Sequence, residues 1–201
     1  VTHFLQRGEG EHMIRDLVYY REHLANLDPQ DDLQKYSFCL GYFTHLICDI
    51  LWSKYILAAT KTLCKEMIEK DALEAWGIIK DDWYGLDQRY NRAHPEGLFW
   101  QVIHKTPYPP SHLEFIKEKP LYQQLDHIRK FYSEPDPLFF VERKYPYLNE
   151  ATMSRTVDDT VKSTLYIIDQ LQQTEFDHLE SSSKLLPLEF MRPYELPLGD
   201  V

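Results

Sequence analysis

Between Tyr36 and Ala59 the chain reads YSFCLGYFTHLICDILWSKYILAA, with apolar residues following one another almost without a break. Water must be kept from such a segment, since burying one Leu, Ile or Phe side chain is worth ~1.5–3 kcal/mol relative to leaving it exposed. A helix that is apolar nearly all round belongs either in a protein core or in a membrane. A membrane span needs about 20 predominantly apolar residues. Here His45, Asp49 and Lys54 interrupt the run, and no second span accompanies it. The segment is therefore predicted to be the long, buried central helix of a soluble fold, running from about Gln30 to Thr60.

The rest of the chain is patterned for helices as well. Residues 9–25 place Met13, Ile14, Leu17, Val18 and Leu24 at helical spacing, and Asp28-Pro29 closes that helix and opens the next. Further helices are predicted at about 61–76, 78–92, 96–104 and 120–132. KTPYPPSHLE reads as an extended turn, because Pro107, Pro109 and Pro110 cannot sustain a helix, and SEPDPLFFVERKYPYL reads as a second irregular connection. A last helix over roughly 150–176 carries Val157, Val161, Leu165, Ile168 and Leu171 in a 3.6-residue rhythm. The expected fold is all-α, a multi-helix bundle around the long central helix. It occupies residues 1–180, and a proline-containing tail follows over 181–201, either strapped down or mobile.

Charge narrows the function. With 22 Lys and Arg against 32 Asp and Glu, the formal net charge is -10. A general nucleic-acid binder needs a basic face to displace counterions from phosphates, so that class is excluded. A metal enzyme acting on phosphate esters is not, because bound cations reverse the local field. Only 7 glycines leave little room for glycine-rich phosphate loops, and 14 tyrosines suit broad packing surfaces or an apolar groove. The three cysteines, Cys39, Cys48 and Cys64, lie in apolar segments at spacings that make no zinc finger, and are read as reduced, buried thiols of a cytoplasmic protein. No signal peptide is visible. The chain opens on Val1 without an initiator Met, which leaves an upstream piece to be expected.

The chemistry is expected where polar residues enter the most apolar helix. His45 and Asp49 stand four apart, so their side chains leave one helix face a turn from each other. A buried ionised carboxylate needs compensation. A neighbouring basic or hydrogen-bonding group would supply it, with His45 as a core histidine; so would a divalent cation held by imidazole and carboxylate.

Phe38, Leu40, Gly41, His45 and Asp49 fit the pattern F-x-L-G-x-x-x-H-x-x-x-D, and Thr2-His3-Phe4 stands one amphipathic helix upstream. In both respects residues 1–60 resemble the zinc-dependent phospholipase C family, which is all-helical and similar to the S1/P1 nucleases. The resemblance implies His3, His45 and Asp49 as metal ligands, zinc as the cofactor and a metal-bound water as nucleophile. A small-molecule or lipid phosphate ester would be the substrate. Where the family has a further histidine ligand, ten residues after the helix histidine, this chain has Tyr55, and its proline-methionine-histidine signature is replaced by Trp52-Ser53-Lys54-Tyr55. Tyr55, Asp82 and Asp87 are the residues that could support the ligands; Asp81, Asp82 and Asp87 read first as a solvated acidic face.

Elsewhere His12, His23, His94, His104, His112 and His127 lack ligand spacing, Trp83 and Trp100 read as packing residues, and no G-x-S-x-G nucleophile elbow occurs. The function expected is metal-dependent hydrolysis of phosphate esters. Its rival is a non-catalytic helical binding or assembly protein on the same fold, with a degenerate metal site.

Overall fold

The structure, a computed structural model, describes residues 5–6, 13–134, 144–173 and 175–196. It is all-α apart from a two-residue antiparallel ladder, β1 (Leu5–Gln6) on β2 (Met13–Ile14), with Leu5 opposite Ile14. The helices are α1 (Asp16–His23), α2 (Leu33–Trp52), α3 (Ala58–Leu63), α4 (Lys65–Lys70), α5 (Ala72–Ala93), α6 (Glu118–Ser133) and α7 (Glu150–Gln173). Single π-helical turns occupy Ser53–Leu57 and Phe99–Ile103, and 3₁₀ turns occupy Ser182–Lys184 and Leu188–Met191. No helix among the described residues is long and apolar enough to cross a membrane.

Local chemistry sets the boundaries. The first helix begins at Asp16 rather than near Glu9, and Met13 and Ile14 pair as a strand instead. Gly8 and Gly10 precede them, and glycine costs up to ~1 kcal/mol relative to alanine inside a helix. Asp32 caps α2 by accepting from the Lys35 N–H at 2.9 Å. With no glycine or proline from Ser53 to Leu63, the helical path then continues into α3 through the π turn, where Ala58 N–H bonds the Ser53 carbonyl. Asp71 starts α5 by accepting from Leu73 and Glu74 N–H, both at 3.0 Å, and Asn149 does the same for α7 through Thr152 N–H at 2.9 Å.

The chain divides into two compact units, one of residues 1–59 and 155–194, the other of 60–154 and 195–201. In the first, α1 lies on α2: the Tyr19 hydroxyl donates to the Cys39 carbonyl at 3.1 Å, and the Tyr20 and Phe43 rings meet at 5.1 Å. Leu17, Leu46, Ile47 and Leu51 fill the core there. The C-terminal stretch packs into the same unit. Ser182 N–H bonds the buried Asp16 carboxylate at 2.9 Å, and Tyr194 stacks on Tyr55 with ring centroids 4.9 Å apart. Tyr194 also donates to Asp159 at 2.7 Å and carries the Arg155 guanidinium over its ring.

In the second unit α5 buries Ala75, Ile79 and Leu86. A polar layer sits beside them, where Asp82 accepts from Tyr147 N–H at 2.8 Å, Asp87 from the Tyr132 hydroxyl at 3.0 Å, and Gln88 donates to the Phe131 carbonyl at 2.6 Å.

Two burial patterns differ from expectation. The central helix is not buried all round: α2 buries Cys39, Phe43, Leu46, Ile47, Ile50 and Leu51, while Ser37, Gly41, His45 and Cys48 form an exposed line on another face. The small and polar residues recur at helical spacing, a stripe that averaged hydropathy conceals. Cys48 is accordingly exposed, and only Cys39 and Cys64 are buried. On α7 the first half of the rhythm points outward. Val157, Val161 and Leu165 are 54%, 52% and 62% exposed, whereas Thr156, Ser163 and Ile167 are buried. The 3.0 Å hydrogen bond between Ser163 and the Tyr55 hydroxyl holds that small, polar side inward.

Candidate metal centre

The helical spacing of α2 brings the His45 Nε2 and Asp49 Oδ2 atoms to 3.5 Å. Their side chains are 46% and 35% exposed, so the carboxylate is not the buried charge expected from the sequence, and water supplies much of its compensation. The 3.5 Å separation can be compared with that of an ion pair and with that of two donors to one metal. A charge-assisted N–H···O bond between such groups settles at ~2.7–2.9 Å. Two ligand atoms bound to one zinc at ~2.0–2.2 Å with tetrahedral angles stand about 3.4 Å apart. The observed gap is compatible with the second distance, and both side chains are partly exposed.

Tyr42 borders the pair, and sequence reasoning missed it. Its ring meets that of His45 edge-on, with centroids 6.0 Å apart. Burial, followed by the negative charge of Asp49, pushes its hydroxyl up to about 12, so it stays a hydrogen-bond donor at neutral pH. The signal was available in the spacing, since Tyr42 lies three residues before His45 and seven before Asp49, on one helix face. On the far side of Tyr42, the Tyr19 ring packs at 4.8 Å and ties this face of α2 to α1. Although the Cys48 side chain is exposed, partial desolvation of its sulfur and the Asp49 charge push the thiol up.

The other predicted residues lie as follows. His3 falls outside the described residues. Tyr55 is ten residues beyond His45, about 15 Å of helical rise, and is committed to Ser163 and Tyr194 within the first unit. Asp82 and Asp87 belong to the second unit and hold Tyr147 N–H and the Tyr132 hydroxyl. Neither fits the solvated acidic face: Asp82 is fully buried, and burial pushes the Asp87 carboxyl up against the lowering effect of Tyr132. Among the described residues no group of three or more His, Cys, Asp or Glu side chains is arranged to hold a metal ion. Two other histidines make ring contacts. His94 stacks on Tyr90 at 4.1 Å, and His104 lies against Trp100 and Phe99.

Comparison with known protein families, curated proteins and solved structures finds no match to this chain.

Proposed function

We propose that this chain is a metal-dependent hydrolase of phosphate esters, built in the manner of the zinc-dependent phospholipases C, with His45, Asp49 and His3 as ligands. The observation that carries the reading is the 3.5 Å separation of His45 Nε2 and Asp49 Oδ2 on an accessible helix face. A zinc ion there would supply Lewis-acid stabilisation of phosphoryl charge and a lowered pKa for water. The chain's own contributions are then defined. His45 presents an imidazole nitrogen, Asp49 presents a carboxylate oxygen, and the shared helix face fixes both without any loop to order. Tyr42, held protonated beside them, would donate to a phosphoryl oxygen.

The non-catalytic reading has an observation of its own, because no third ligand joins the pair among the described residues. Elemental analysis of the purified full chain, combined with hydrolysis of bis(4-nitrophenyl) phosphate with and without added zinc, separates the two. Stoichiometric zinc and zinc-dependent turnover, both lost in His45→Ala and Asp49→Asn, support the hydrolase. Zinc binding without turnover on mono- or diesters supports a degenerate site, and no zinc binding at all removes the metal reading.

A further inference from the structure

Helix α7 carries an apolar face that the fold leaves uncovered. Val157, Val161 and Leu165 follow one another at four-residue intervals and are each more than half exposed. At ~1.5 Å per residue they make a stripe about 12 Å long. Isolated exposed apolar residues are ordinary, whereas a continuous stripe on one helix is a candidate interaction surface. The polar residues beside it identify the occupant. Viewed down the helix from Val161, Asp158 and Lys162 lie about 60° and 100° to one side, and Thr160 and Thr164 lie at similar angles to the other. One flank is thus charged with both signs and the other is neutral.

We infer that α7 is the docking surface for a second copy of this chain, packed antiparallel about a two-fold axis at Val161. An antiparallel two-fold contact is self-complementary, so each flank meets its own image. Val161 then packs on the partner's Val161, and Val157 packs on the partner's Leu165. Asp158 lies three residues before the axis and Lys162 one residue after it. Its image therefore sits within about 3 Å, along the helix, of the lysine it faces. Two reciprocal Asp158–Lys162 pairs form, one at each end of the contact. A parallel arrangement would set the charged flank against the threonine flank and leave all four charges without partners across the contact. In the single chain Lys162 reaches Asp159 only at 3.8 Å, with its side chain 68% exposed, which leaves it free to swing to the partner.

Sedimentation equilibrium of the full chain tests this. The expected result is a reversible dimer. Val161→Glu and Lys162→Asp should each raise its dissociation constant by ~10-fold or more, with the far-UV circular dichroism unchanged because both positions are exposed. The double exchange Asp158→Lys with Lys162→Asp restores the reciprocal pairs and should recover the dimer. A chain that stays monomeric up to ~1 mM overturns the proposal. So does a dimer indifferent to both single substitutions, or a double exchange that fails to recover association.

Discussion

Replacing Asp49 by asparagine keeps the shape of the side chain and removes its charge, which separates metal binding from structural pairing. Its side chain is 35% exposed and its contact with His45 is 3.5 Å, so the pair belongs with solvent-accessible ion pairs. Such pairs contribute ~0–1 kcal/mol, not the ~3–5 kcal/mol lost when a buried pair is broken. Without metal, Asp49→Asn should therefore melt within a few degrees of the parent chain. Zinc at about 100 times its dissociation constant should stabilise the parent by ~2.7 kcal/mol through mass action. For a chain of this size that is a rise of ~5–11 °C in Tm, at ~2–4 °C per kcal/mol. The variant should lose that rise. The assay is differential scanning calorimetry of both proteins with zinc and with chelator. Spectrophotometric titration of Tyr42 gives a second readout: the hydroxyl, held up in part by the Asp49 charge, should ionise at lower pH in the variant. A parent Tm indifferent to zinc and chelator would refute the metal reasoning. An apo variant destabilised by several kcal/mol would refute the surface assignment of the pair.

Other consequences follow from the packing. Leu46→Ala removes a fully buried side chain from the α2 core and should cost ~2–5 kcal/mol in chemical denaturation. Tyr55→Phe strands the buried Ser163 hydroxyl, with an expected loss of ~1–3 kcal/mol, whereas the paired change with Ser163→Ala should recover part of it. Asp32→Ala removes the cap of α2 and should cost ~0.5–2 kcal/mol. Burial raises the Asp16 carboxyl above its ordinary 3.8, so the folded state holds its proton more tightly than the unfolded chain. Stability from this group is full below ~3.8 and is lost as pH rises through the raised value. Asp16→Asn keeps the acceptor for Ser182 N–H, so unfolding curves from pH 4 to 8 should show the parent losing stability relative to the variant.

The all-helical class was readable from local information alone. Apolar periodicity, aspartates at helix starts and the prolines at 107, 109 and 110 mark segments whatever surrounds them, and α2, α6 and α7 lie near the expected positions, whereas α5 begins at Ala72, inside the helix expected over 61–76. The placing of His45 and Asp49 on one face of α2 was equally local, because four residues of helix determine it. Which face of each helix is buried was not. That depends on which partner surface covers it, a long-range property that no window of sequence contains. The stripe of Val157, Val161 and Leu165 had the periodicity of a core face, yet Ser163, Thr156 and Ile167 were drawn inward by Tyr55 and their neighbours. The charge of Asp49 looked buried because its neighbours in sequence are apolar, but they turn to the other side of α2 and leave it in contact with water. Asp82 shows the converse. It stands in an acidic, outwardly ordinary stretch, and only the return of Tyr147 from 65 residues away makes it a buried acceptor.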